Sequence, residues 1–105
     1  MNSSTVAIVQ PCELASVAEQ RDVLRQYASQ QGVSIDLFVG DDCFLRTGSE
    51  ALDKILESVR TGVTRRIWLL KGIKERLPQG FCDRAIALGG EVSLIEYRKS
   101  VLQTG

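Results

Sequence analysis

The chain contains no histidine, and this absence excludes much of ordinary enzyme chemistry. Histidine is the commonest general base near neutral pH and the commonest metal ligand, so serine–histidine and cysteine–histidine catalysis are both excluded. Cysteine is scarce as well: Cys12, Cys43 and Cys82 are an odd number and form no CxxC pair. This pattern predicts reduced thiols, and neither a disulfide framework nor a metal centre.

The chain has no excess of either charge, because 13 basic residues balance 13 acidic residues. No overall field therefore attracts it to nucleic acid or to a membrane, and any such attraction must be local. The apolar runs are too short to span a bilayer, and the N-terminus lacks the pattern of a signal peptide. We expect a single cytoplasmic domain over residues 1–105, with no cofactor, no metal and no membrane attachment.

Short apolar runs alternate with amphipathic segments along the chain. Residues 6–9, 33–39, 66–70 and 92–97 are predicted strands, and the alternation within 33–39 indicates a position near an edge. Capping boxes begin the first two predicted helices at Ser16 and Thr47, a third helix covers 79–88, and glycines end all three. The order β-α-β-α-β-α-β predicts a three-layer α/β sandwich with a four-stranded, mainly parallel sheet. A polar tail follows at 98–105.

Ligands of such sheets bind outside the carboxyl ends of the strands. Those ends are predicted at residues 10–12, 40–44 and 71–76, and the central strand runs directly into the last, basic segment. Candidate contacts to an anion or a partner are Arg46, Lys71, Lys74 and Arg76. Together with Arg65 and Arg66, the last three form a basic cluster, which is a candidate for contacts to phosphates or to an acidic partner. The simpler interpretation, which we favour, is that these charges are two solvated loop ends on either side of a strand.

The order of core and capping residues resembles the catalytic domain of serine recombinases, the resolvases and DNA invertases. The first helix and turn (17–33), the second helix with its spacing to Trp68 (51–68) and the segment into the fourth strand (87–96) all share this likeness. It covers nearly the whole chain. The resemblance implies a resolvase-like fold and, in the family, attack of a serine on DNA phosphate.

The residues of that chemistry do not carry over. The family's first strand reads Tyr-Ala-Arg-Val-Ser, whereas this chain has Ile8 at the arginine and Gln10 at the nucleophilic serine. Gly72 and Glu75 replace the two arginines that follow the third strand. A further family arginine falls on Ser49, with Arg46 three residues too early. The resemblance therefore implies a catalytically degenerate member.

Other chemistry-bearing residues have simpler interpretations. Cys12 follows the lost serine and is a candidate reactive thiol, but without histidine to activate it we favour a structural thiol. Cys43 and Cys82 are interpreted as loop or core residues, Trp68 as core, and Asp41–Asp42 as a loop turn in preference to a metal or phosphoacceptor pocket.

The favoured hypothesis is a non-catalytic module that binds a protein partner or itself. The alternatives are a DNA-associated accessory domain that works with an active recombinase through the local basic patch, and an enzyme that depends on Cys12.

Overall fold

The computed structural model describes residues 4–10, 15–40 and 50–96, and all structural statements refer to these. They form strands β1 (Ser4–Ile8), β2 (Leu37–Val39), β3 (Thr64–Leu70) and β4 (Glu91–Ile95). The helices are α1 (Val17–Gln31), α2 (Glu50–Arg60) and α3 (Phe81–Ala87), with a 3₁₀ helix, η1, at Lys71–Arg76. The predicted α/β class and alternating element order are confirmed.

The four strands form one sheet in the order β2-β1-β3-β4, and every neighbouring pair is parallel. β1 and β3 are central, and their carboxyl-terminal parts, residues 6–8 and 67–70, are apolar, as expected for strands covered on both faces. β2 lies at one edge, which confirms the position that its alternation predicted. The sheet is fully parallel within the described part of the chain.

Helices cover both faces of the sheet. The ring of Tyr27 on α1 meets that of Trp68 edge-to-face, with centroids 5.0 Å apart, so α1 packs on the face that carries Trp68. Side chains alternate along β3, so Ile67 and Leu69 point to the opposite face, which α2 and α3 cover. Trp68 is 4% exposed, which confirms its assignment to the core.

The predicted capping of α1 is present at both ends. Ser16 accepts a hydrogen bond from the Glu19 backbone N–H, and the Glu19 carboxylate accepts one from the Ser16 N–H. Gly32 ends the helix in the left-handed conformation at φ 70°, where its N–H reaches the last carbonyl groups of the helix. The sequence signature of this helix therefore corresponds to real hydrogen bonds.

The second strand was predicted too long, because it covers only Leu37–Val39. The Val33 N–H still bonds to the Ala28 carbonyl of α1, so this residue belongs to the helix turn. Asp36 accepts a hydrogen bond from the Thr5 N–H through Oδ2, and its own N–H donates to the Thr5 carbonyl, both at 2.9 Å. These two hydrogen bonds join the chain to β1 one residue before β2 begins.

The remaining boundaries differ by a few residues. β3 begins two residues earlier than predicted, α3 is shorter at its start, and β4 ends at Ile95. The basic connection after β3 is a 3₁₀ helix, which was not predicted; its buried Ile73 anchors it to the core. Thr47 and the polar tail at 98–105 lie outside the described residues.

Candidate functional site

The centre of the carboxyl edge lies between β1 and β3. The chain leaves β1 toward β2 on one side, and β3 adjoins β1 on the other, so the direction of winding reverses between them. In doubly wound sheets this reversal opens the crevice in which ligands bind. Gln10 follows β1 at this point, and Lys71 follows β3.

The side chain of Gln10 is folded into the protein. Only 1% of the residue is exposed. Its Nε2 group donates one hydrogen bond to the Gly40 carbonyl, beyond the end of β2, and one to the Val9 carbonyl, both at 2.9 Å. The amide therefore joins the ends of β1 and β2 and fills space at the carboxyl edge.

A second buried glutamine holds the backbone of Gln10. Gln20, on α1, is 0% exposed; its Oε1 accepts the Gln10 backbone N–H at 3.0 Å. Its Nε2 donates to the Gln10 carbonyl at 2.6 Å and to the Ala15 carbonyl at 2.9 Å. Gln20 thus supplies hydrogen-bond partners to backbone groups beside the end of β1. We call Gln10 and Gln20 the glutamine pair.

The chemical capacity of the glutamine pair is limited. A carboxamide has no ionisable group near neutral pH and is not a nucleophile, so it neither attacks phosphate nor transfers a proton. Ile8, at the position where the resemblance implies arginine, is completely buried and brings no charge. The end of β1 is therefore packed and neutral.

At the end of β3, η1 carries the basic candidates Lys71 and Lys74, both exposed. The Lys71 ammonium lies 3.8 Å from Glu96 Oε2, a solvent-exposed ion pair that adds little stability. Gly72 and Glu75 are exposed on the same short helix. The backbone of Arg76 ends η1, and its side chain is outside the described structure. Arg46 and Ser49 also lie outside the described residues.

The basic cluster of the sequence is divided by the fold. Arg65 and Arg66 lie near the amino end of β3, whereas Lys71 and Lys74 follow its carboxyl end. At about 3.3 Å per residue, a seven-residue strand separates the two pairs by roughly 20 Å. These four described residues therefore form two pairs at opposite ends of β3.

The cysteines offer little reactive chemistry in the part that the structure describes. Cys82 lies in the core at the start of α3, 7% exposed. Burial raises the pKa of its thiol, although nearby Lys74 acts in the opposite direction, and Asp83 raises it further. The thiolate is therefore disfavoured, which fits a core residue. Cys12 and Cys43, like Asp41–Asp42, lie outside the described residues.

The described residues offer neither a metal-binding cluster nor a membrane-spanning helix. Among residues 4–10, 15–40 and 50–96, no three histidine, cysteine, aspartate or glutamate side chains are grouped so as to hold a metal ion. No helix in those ranges has both the length and the apolar composition required to cross a membrane.

Sequence reasoning missed the glutamine pair. Gln20 is one turn before Leu24 and two turns before Ala28, so its place on the apolar face of α1 was readable from helical spacing. A polar residue on that face must find partners, and the nearby strand end offers them. Arg21, the next residue of α1, is partly buried, and its guanidinium lies over the Phe38 ring, 5.6 Å from the centroid.

No protein-family model matches the chain, and no curated protein matches it either. Among solved structures, it is similar to the C-terminal catalytic domain of ISC1926 TnpA, an IS607-like serine recombinase. The TM-score is 0.68 at 17% sequence identity, over 96% of this chain and 75% of that chain. The chain has the serine recombinase catalytic fold. The resolvase-like resemblance is thus confirmed at the level of fold, and at this identity the likeness carries no activity with it.

Proposed function

We propose that this resolvase-like domain lacks strand-cleaving activity and acts by binding a protein partner or a second copy of itself. The observation that carries the proposal is the buried Gln10 amide, hydrogen-bonded to the Gly40 and Val9 carbonyl groups. The sequence resemblance assigns this position to the nucleophilic serine. A nucleophile there must reach a DNA phosphate, whereas Gln10 is neutral, unreactive and enclosed.

The charges required for phosphoryl transfer support the same proposal. That chemistry depends on a positioned nucleophile and on fixed positive charge around the phosphoryl group. At the positions of three family arginines the chain has buried Ile8 and exposed Gly72 and Glu75. Lys71 and Lys74 are separate basic residues on η1, and Glu96 lies beside Lys71.

A cleavage assay tests the loss of activity. The purified chain is incubated with supercoiled plasmids that carry genomic fragments of the source organism, and denaturing gels display nicked DNA and covalent protein–DNA adducts. We expect neither product. An adduct that contains the chain would contradict the proposal, and its disappearance in Cys12→Ala would support the Cys12-dependent alternative.

Cross-linking in the source cells tests the protein contacts. A tagged chain is treated with a lysine-reactive cross-linker, and linked peptides are identified by mass spectrometry. We expect links to another protein or to a second copy of the chain. A chain that is recovered with DNA alone, with no protein links, would contradict this half of the proposal.

A DNA-associated accessory role is the second candidate, favoured by the exposed Lys71 and Lys74 at the carboxyl edge. The test is a gel shift at several salt concentrations, because phosphate contacts weaken steeply with salt. The Lys71→Glu/Lys74→Glu variant should lose binding, whereas Arg65→Glu/Arg66→Glu, with the same charge change at the opposite edge, should retain it. Equal binding by both variants would remove the basis of this candidate.

A further inference from the structure

β2 is an edge strand of the sheet that the described residues form. β2 pairs with β1 on one side, and within the described residues no strand pairs with its other side. The N–H and C=O groups of an edge strand are a template for an added extended segment. The side chains that flank this edge on the two faces of the sheet determine which segment fits.

On the α1 face, the edge is cationic and aromatic. The Arg25 guanidinium lies over the Phe38 ring, 5.2 Å from its centroid, and Arg21 lies over the same ring. Beside them is an open groove of about 300 Å³, lined in part by Arg25, Ser29 and Phe38. A guanidinium on an aromatic ring keeps N–H donors for a carboxylate, so this groove favours an acidic side chain.

On the α2 face, the same edge is apolar. Leu37 is 54% exposed, an unusually large fraction for a leucine in a strand. With Val39 it borders a groove of about 330 Å³ between β2 and α2, which Ala51 and Ile55 also line. Filling this groove with an aliphatic side chain would remove apolar surface from water.

We propose that the β2 edge binds an extended segment of a partner protein in which acidic and apolar residues alternate. Successive side chains of a strand point to opposite faces, so the acidic residues of the added strand lie beside Arg25 and the apolar residues beside Leu37. Main-chain hydrogen bonds to β2 supply affinity, and the two unlike grooves supply specificity.

Other occupants fit less well. A second copy in a two-fold antiparallel pair would place both α1 faces on one side of a continuous sheet, which brings the arginines of the two copies together. DNA would satisfy the guanidinium groups but would leave the groove beside Leu37 and Val39 without an apolar partner. Charge and apolar complementarity together favour the alternating segment.

Peptide binding tests the proposal directly. The probe is a blocked, fluorescein-labelled nine-residue peptide in which glutamate and valine alternate, and the control peptide has lysine at each glutamate. Fluorescence anisotropy measures affinity, and NMR locates amide shifts. The variant Arg25→Glu is matched by Arg84→Glu, the same charge change on α3. Leu37→Ser tests the apolar groove separately, and circular dichroism verifies that each variant is folded.

We expect the glutamate peptide to bind and to shift the amides of residues 37–39. Arg25→Glu should weaken this binding by about five-fold or more, and Leu37→Ser by about three-fold, whereas Arg84→Glu should change it less than about two-fold. The lysine peptide should not bind. Absent binding at millimolar peptide, shifts confined to β4, or equal effects of Arg25→Glu and Arg84→Glu would overturn the proposal. So would duplex DNA or a second copy of the chain that displaces the peptide and requires Arg25.

This inference rests on the proposed function in so far as it names the kind of protein that the domain contacts. The proposed function and the β2-edge proposal can be contradicted independently of each other. Peptide binding involves no DNA chemistry, so its absence leaves the cleavage assay and cellular cross-links unaffected. Conversely, a cleavage-active chain that still binds the peptide would overturn the proposed loss of activity and retain the β2-edge site.

Discussion

Replacing Gln20 by methionine measures what the glutamine pair contributes to the fold. Methionine keeps the length of the side chain but removes the hydrogen bonds to the Gln10 N–H, the Gln10 carbonyl and the Ala15 carbonyl. An intramolecular hydrogen bond contributes about 1 kcal/mol, so the three losses together predict a decrease of about 3 kcal/mol in the free energy of unfolding. Domains of this size are stable by roughly 5–15 kcal/mol.

Trp68 makes the measurement simple, because it is the only tryptophan and is 4% exposed. Urea unfolding followed by its fluorescence gives the free energy, and thermal unfolding should show a decrease in Tm of roughly 15 °C. The matched control is Gln26→Met, at an exposed position of the same helix. This control should change stability by less than about 0.5 kcal/mol.

Equal stability of Gln20→Met and Gln26→Met would show that the hydrogen bonds of Gln20 do not stabilise the fold. It would mean that the backbone groups near Gln10 find other partners when the amide is removed, or that they are not buried in solution. A large decrease in the free energy of unfolding of both variants would instead indicate that α1 does not tolerate methionine. The loss in Gln20→Met could then not be assigned to its hydrogen bonds.

Gly90→Ala should destabilise the fold by about 1–2 kcal/mol, because a Cβ there would lie 3.0 Å from Val59 Cγ1. In urea unfolding, the same substitution should cost less free energy of unfolding when it is made in the Val59→Ala background. Thr5→Val should stabilise by about 1 kcal/mol in the same assay, since Thr5 Oγ1 is buried with no hydrogen-bond partner in the described structure, and a loss of stability would contradict this. Burial raises the pKa of Cys82, so its contribution to stability is complete below the unfolded-chain pKa of about 8.5 and is lost as pH rises through the folded pKa. Above the unfolded-chain pKa, the free energy of unfolding should therefore decrease less steeply with pH in Cys82→Ser than in the unchanged chain. An equal slope would count against a raised pKa of Cys82.

The order of elements was predictable because it depends on local signals. The Ser16 capping box and Gly32 mark both ends of α1, and the apolar spacing of α2 identifies its buried face. The continuous apolar runs of β1 and β3 indicate central strands. These signals need no knowledge of partners distant in sequence, and together they were sufficient for the α/β class.

The errors came from contacts that are distant in sequence. The shortening of β2 depends on Asp36, which bonds to the backbone of Thr5, 31 residues earlier. The burial of Gln10 depends on the Gly40 carbonyl and on Gln20 across the edge of the sheet. A sequence pattern states which groups need partners, but the fold decides which partners they find.

The sequence predicted where the candidate site lies, but not how its side chains are arranged. Parallel topology and the resemblance to serine recombinases both directed attention to the carboxyl edge, and the substitution by Gln10 was visible there. The separation of Arg65 and Arg66 from Lys71 and Lys74 follows from the length of β3 alone. The cationic and apolar sides of the β2 edge could not be predicted from the sequence, because they depend on how α1 and α2 pack on the two faces of the sheet.

Hydrogen exchange of the Gln10 side-chain amide measures directly whether this group is enclosed at the end of β1. NMR resolves the Nε2 protons of individual glutamines, and Gln26, Gln30 and Gln31 on the exposed surface of α1 provide internal references. If the amide is buried against Gly40 and Val9, its protons should exchange at least about a hundred-fold more slowly than the references. Exchange as fast as at Gln26 would place the Gln10 side chain in solvent. This result would contradict the enclosed strand end on which the proposed function depends.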